Sequence, residues 1–248
     1  MSSQCGVRAG GNRASRWIES VFALVYASLA LAGSARAEDA SELWPEISAF
    51  KQINERSRAC FDAAYALGKE SDVKSLNLAA CLDVSLKPIA RLRKDLLTQD
   101  WQRNKYLWAR VGYDRIFEAT DAMGAQVVEN RGVIALYGRI PLPASTWLET
   151  RTRADFRWIG DDYSNRYRFR LDLSREFTVR DHAVVPYGNV EWFYDTRFDD
   201  WARTLATLGA EVTMSDRFRY EVYVARQADR LPDEKDLNAL GVVLKWYF

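Results

Sequence analysis

DLNALGVVLKWYF, residues 236 to 248, alternates with a period of two. Leu240, Val242, Leu244, Trp246 and Phe248 fall on one face, and Gly241, Val243, Lys245 and Tyr247 fall on the other. The sequence stops on an aromatic residue inside an apolar strand, where a soluble domain ordinarily frays into solvent. The last strand of an outer-membrane barrel has a use for such a face, because its outward side meets lipid. A core strand of a soluble sandwich reads the same way, so the rest of the chain has to decide.

Working back from this strand, alternating runs occur at 42–53, 58–67, 77–88, 105–117, 131–141, 147–159, 165–178, 183–194, 201–214, 217–227 and 237–248. Most exceed the ~5 to 6 residues of a soluble strand. They match the ~9 to 11 residues of a tilted membrane-crossing strand. The connections also alternate: 228–236 is long and polar, 215–216 tight, 195–200 longer, 179–182 short, and 142–146 a proline-bearing turn. Long loops at one end and short turns at the other are the barrel habit, with the carboxy-terminal end on the periplasmic side. Bacterial single-chain barrels have even strand numbers, so the eleven runs predict twelve strands, with one hidden or split before residue 105; ten is the alternative.

Face composition carries the physical argument. Leu148, Thr150, Thr152, Ala154, Phe156 and Trp158 oppose Glu149, Arg151, Arg153, Asp155 and Arg157. On the next run, Tyr167, Phe169, Leu171, Leu173 and Phe177 oppose Arg166, Arg168, Arg170, Asp172, Ser174 and Glu176. Trp158, Tyr167, Trp192 and Tyr194 lie at one end of the apolar face, and Phe177, Phe218, Trp246 and Phe248 at the other. From Tyr167 to Phe177, at ~3.3 Å per residue and a tilt of ~40°, the rise is about 25 Å, the height of a barrel's lipid band. Arg175 falls on that face near its end, where a long side chain snorkels.

The amino-terminal segment is read separately. Arg8, Arg13 and Arg16, the apolar run Val21 to Ala32, and Ala35-Arg36-Ala37 form the three parts of a secretory signal, so residues 1–37 are expected to be removed and 38–248 to form the barrel. Ser34 stands where a lipoprotein signal needs cysteine. Taking Arg8, Arg13, Arg16, Arg36 and Glu19 from the 35 basic and 34 acidic side chains changes the formal charge from +1 to about −2, with no basic excess for nucleic acid.

A set of landmarks resembles a known family. These are Val185-Pro186-Tyr187, Glu191-Trp192-Phe193-Tyr194-Asp195, Trp201, Arg226-Gln227, Asn238 with Leu240-Gly241, and Tyr247-Phe248, preceded by Leu43-Trp44 and Trp108-x-Arg110-x-Gly112-Tyr113. The chain resembles bacterial outer-membrane β-barrels classed as a domain of unknown function. The resemblance implies a barrel in the outer membrane of a Gram-negative bacterium and brings no catalytic residue.

Five groups of residues are candidates for a role. Cys60 and Cys81 stand on consecutive runs about a turn near residue 70, on the polar face with Asp62 and Asp83, which predicts a lumenal disulfide in an oxidising compartment. Arg151, Arg153, Arg157, Arg166, Arg168 and Arg170 form a ladder facing the lumen, with Glu149, Asp155, Asp172, Glu176, Glu191, Glu211 and Glu221 as answering acids. The ladder reads either as a paired network that fills the interior or as a positive ring that selects anions. His182, the one histidine, has no evident serine partner at hairpin spacing, so no catalytic constellation is found. Asp161, Asp162, Asp195, Asp199 and Asp200 are assigned to outer loops as hydrophilic punctuation, and no metal or cofactor is expected. Trp246 and Phe248 read as an assembly signal for barrel-assembly machinery.

The expectation is an all-β, transmembrane, antiparallel up-and-down barrel that has a structural role or passes small solutes, anions included. Its partners are outer-membrane lipid and the assembly machinery. A lipid-modifying enzyme and a soluble periplasmic β-sandwich that binds small ligands are the alternatives.

Overall fold

The computed structural model describes residues 40–68, 73–86, 106–118, 127–180, 182–230 and 236–248. The proposed signal segment and the region before residue 105 expected to hide a strand lie outside these. Twelve strands form one sheet. They are β1 (Ala40–Asn54), β2 (Ser57–Leu67), β3 (Val73–Ser85), β4 (Leu107–Glu118), β5 (Val128–Leu142) and β6 (Thr146–Ile159). The others are β7 (Asp162–Arg175), β8 (Phe177–Val179), β9 (His182–Asp195), β10 (Asp200–Thr213), β11 (Phe218–Asp229) and β12 (Leu237–Tyr247).

Eleven of these spans close the wall, and β8 is the twelfth strand. Ser174 faces Tyr187 and Phe177 faces Val184, so β8 continues β7 against β9 without a change of register. The break falls at Glu176, whose amide donates to the Ser145 carbonyl at 3.0 Å as β6 runs out. β3 pairs directly with β4, so no strand stands between them in the wall. The total of twelve therefore arises from this break, and the alternating runs correspond to the spans themselves.

An odd number of spans cannot close antiparallel throughout. β1 and β12 run parallel from Ala40 opposite Leu237 to Phe50 opposite Tyr247, so the expected antiparallel barrel is closed by one parallel pair. One continuous closed sheet also rules out the two-sheet sandwich. The strand ends at Leu67, Val73, Asp195, Asp200, Asp229 and Leu237 share one end, called here the loop end, and the tight turns 55–56 and 143–145 share the other, the turn end.

The burial pattern is inverted relative to a soluble core. Fully buried large side chains are Glu129, Glu191, Asp83, Asp155 and Asp195, while Ile47, Leu78, Val111, Ile134, Leu171, Leu208 and Leu240 are exposed. Ring pairs border this belt at both ends. Trp158–Tyr163, Tyr167–Tyr194 and Tyr194–Trp201 have centroids 5.2, 6.4 and 5.8 Å apart at the loop end. Phe218–Trp246 and Trp246–Phe248, at 5.9 and 6.1 Å, hold the turn end. Arg175, on the outward face, lies over Phe177 at 4.8 Å.

Two inward glycines shape the lumen wall. A Cβ on Gly241 would meet the Tyr223 ring at 2.0 Å, and one on Gly209 would meet the Tyr223 Cβ at 2.6 Å. These positions let the tyrosine lie flat along the β10–β12 wall.

Candidate functional site: the charged lumen

Cys60 and Cys81 are direct cross-strand partners with Cα atoms 5.0 Å apart, and they form the disulfide. Cys60 is buried on the inward face between Arg58 and Asp62, as parity predicts. Gly112 on β4 makes the neighbouring space, since a Cβ there would come within 3.1 Å of the Cys81 Cβ.

The arginine ladder is mostly an ion-pair network. Arg151 donates to Glu191 at 2.5 Å, and Arg168 donates to both oxygens of the same carboxylate at 2.7 and 3.0 Å. Arg153 bonds Asp155 and reaches Asp114 at 2.8 Å. Arg157 grips Glu129 with Nε and Nη2 at 2.6 and 2.8 Å while Nη1 donates to Asp195 at 2.7 Å. Arg166 joins Asp195 at 3.1 Å. Arg170 is the exception: it pairs in register with Arg151 and Glu191, yet among the described residues it has no ion pair.

The acids named from the sequence divide. Glu191 and Asp155 answer the ladder, whereas Glu149 pairs with Arg139 at 2.6 Å. Glu211 and Glu221 both hold Lys245, at 2.6 and 2.5 Å, on the far side of the barrel. Tyr187 donates its hydroxyl to Glu221. Asp195, assigned to a loop, is instead 1% exposed and accepts from Arg157, Arg166 and Arg197. Its parity with Glu191 and Phe193 carries it inward as the last residue of β9. Glu129, Asp114, Arg131, Arg110 and Arg139 also belong to the site without having been singled out by the sequence, although alternation along β4 and β5 marks the same face.

Two layers bound the interior. Toward the loop end, Glu129, Arg157, Asp195 and Arg166 form a buried cluster across β5 to β9. Toward the turn end, arginines stack on aromatic rings. Trp108 and Tyr137 are parallel at 4.8 Å with Arg139 over Trp108 at 5.3 Å, and Phe50 stacks on Tyr247 at 5.0 Å with Arg58 over Phe50 at 4.5 Å. A guanidinium over a ring face is attracted by the ring's negative π surface.

Between these layers lies a cavity of about 530 Å³, lined by seven cationic and seven acidic side chains. Their distribution is uneven. Five cations and three acids stand on β4 to β9, and two cations and four acids stand on β10 to β12, β1 and β2. The cavity lining is neutral in sum and polarised across its width.

Elsewhere the candidates are peripheral. His182 is exposed at the start of β9, its Nδ1 3.2 Å from the Thr213 carbonyl. Asp199 accepts the Tyr194 hydroxyl, and Asp200 accepts the Trp201 amide at 2.6 Å. Cys60, Cys81 and Asp83 are close enough to hold a metal, but the thiols form the disulfide and Asp83 binds Arg58 and Arg110 at 2.6 and 2.7 Å.

These features define a closed β-barrel with an apolar outer wall and an ion-paired polar interior. Residues 42–238 match a family described as Protein of unknown function (DUF2490), and the chain belongs to that family. No curated protein matches it.

Proposed function

We propose that this chain is an outer-membrane barrel whose charged lumen is a stiffened, solute-sized interior rather than an anion-selective pore. The outer wall carries the reading. Along β5 the outward residues Ile134, Leu136 and Ile140 are exposed and apolar, and on β7 Leu171 and Leu173 continue the belt. Among the described residues, charges on the outward face are confined to positions near strand ends, such as Lys51, Lys74, Arg115, Arg175 and Arg226. A water-soluble barrel has no need for an apolar belt on every side, and large exposed apolar patches are rare on soluble monomers. Lipid supplies the missing partner.

The lumen supports the second half. Anion selection requires an excess of positive charge along the path. Here acids match bases around the cavity, and the Glu129, Arg157 and Asp195 cluster ties β5, β6 and β9 together toward the loop end. The location is tested by membrane fractionation with gel mobility before and after boiling. A heat-modifiable band in the outer membrane is expected, and a soluble, boiling-insensitive band refutes the reading. Planar-bilayer recording is expected to show no sustained anion-selective conductance.

A further inference from the structure

The central cavity combines, on nearly opposite walls, two charge groups that make no direct ion pair among the described residues. Arg170 on β7 is one. Both oxygens of Glu191, its partner across the strands, are taken by Arg168, and Oε1 also accepts from Arg151. Arg170 thus faces the cavity beside two other guanidiniums; Asp172, on the same face of β7, acts on it without forming an ion pair, and Arg170 has no ion pair among the described residues.

Glu46 and Asp62 are the other group. Ser48 is paired with Asp62 across β1 and β2, and its hydroxyl donates to Glu46 at 2.8 Å. Neither carboxylate has an ion pair among the described residues, and both line the cavity. Lys245 is the register partner of Ser48, but its ammonium is committed to Glu211 and Glu221. Around the sheet, β7 is five spans from β1 in one direction and six in the other, so these groups face each other across the lumen.

Two carboxylates around one hydroxyl repel each other in a confined interior, and a guanidinium beside two others does the same. One ligand with opposite charges at its ends relieves both. We propose that the central cavity binds a small zwitterion, its carboxylate on Arg170 and its ammonium between Glu46 and Asp62. A cavity of about 530 Å³ has the volume of a small-molecule site. Charge-assisted hydrogen bonds at both ends set its selectivity. The inference uses the barrel and its lumen and does not depend on membrane location.

The test is isothermal titration of the full chain, folded in detergent and checked by its gel mobility before boiling. Straight-chain ω-amino acids from 3-aminopropanoate to 6-aminohexanoate are compared with the carboxylate and the amine of equal length. At least one ω-amino acid should bind roughly tenfold more tightly than either single-charge analogue. Arg170→Gln should reduce that ligand to the affinity of the amine, and Glu46→Gln with Asp62→Asn should reduce it to that of the carboxylate. Failure of every ω-amino acid to bind the folded wild-type chain overturns the proposal. So does equal binding of carboxylate or amine, or full affinity in both folded variants.

Discussion

Glu191→Gln isolates the most heavily shared carboxylate of the lumen. The wild-type side chain is 2% exposed and accepts hydrogen bonds from Arg151 and Arg168, with Arg170 its cross-strand neighbour. Glutamine keeps the shape and one acceptor but removes the charge, leaving Arg151 and Arg170 without an ion pair and Arg168 with only Asp155 at 3.8 Å. Removing one partner of a buried pair costs about 3–5 kcal/mol, because an uncompensated charge remains. Equilibrium urea unfolding of the barrel in lipid vesicles, followed by tryptophan fluorescence, measures the loss. A second substitution, Arg168→Met, removes one of the stranded charges, so the double variant should recover part of the deficit and show coupling above about 1 kcal/mol. The deficit should also change little with added salt, since buried charges are weakly screened. A Glu191→Gln barrel within about 1 kcal/mol of wild type, or strictly additive effects, would refute the network as a load shared through Glu191.

Other perturbations separate the remaining devices. Leu208→Arg places a charge at mid-height on the outer wall, where Leu208 is 51% exposed; in a bilayer it should cost about 2–4 kcal/mol by vesicle unfolding, and a neutral result would argue against lipid there. Cys60→Ser with Cys81→Ser opens a crosslink of sequence separation 21 and should cost ~3 kcal/mol, while unreduced wild type should resist thiol alkylation. Gly241→Val drives a side chain into the Tyr223 ring and should lower the folded yield, and adding Tyr223→Ala should restore it; no rescue would mean the clash is not the cause. Trp246→Ala with Phe248→Ala should reduce heat-modifiable protein in the outer membrane if these rings serve assembly as well as the girdle.

Period-two alternation makes most of the wall legible in the sequence. The run 165–178 is continuous in its alternation, and the register shows that β7 and β8 are one span against β9. The even-number rule leads to the total of twelve, but the twelfth strand described, β8, comes from the break in the β7 span, while the place before residue 105 lies outside the described residues. Parity cannot reveal a parallel seam, because closure is a property of the sheet and not of any strand within it. Face assignment succeeds where both faces are long and distinct, as for Arg166, Arg168 and Arg170. It fails at Asp195, where acidic turn residues follow immediately and a strand end looks like a loop. Partner choice is the least legible. Glu191 reaches Arg151, 40 residues away, because β7 and β9 are neighbours and β6 follows, whereas Glu211 reaches Lys245 on another wall.

The shared carboxylates explain why the lumen is polarised. Asp83 lies between Arg58 and Arg110, Glu191 between Arg151 and Arg168, and Asp195 among Arg157, Arg166 and Arg197. One acid held by two guanidiniums is well satisfied in hydrogen bonds, yet it leaves a positive remainder. Most of these clusters stand on β4 to β9, so that wall accumulates the remainder strand by strand. On the other wall the arrangement reverses, with Glu211 and Glu221 sharing Lys245 and a negative remainder that Glu46 and Asp62 enlarge. Good local geometry on each wall and neutrality of the whole are both met only if the imbalance is expressed across the cavity. A dipolar interior follows from the pairing pattern itself, and the cavity between the two remainders is where a ligand of opposite polarity gains most.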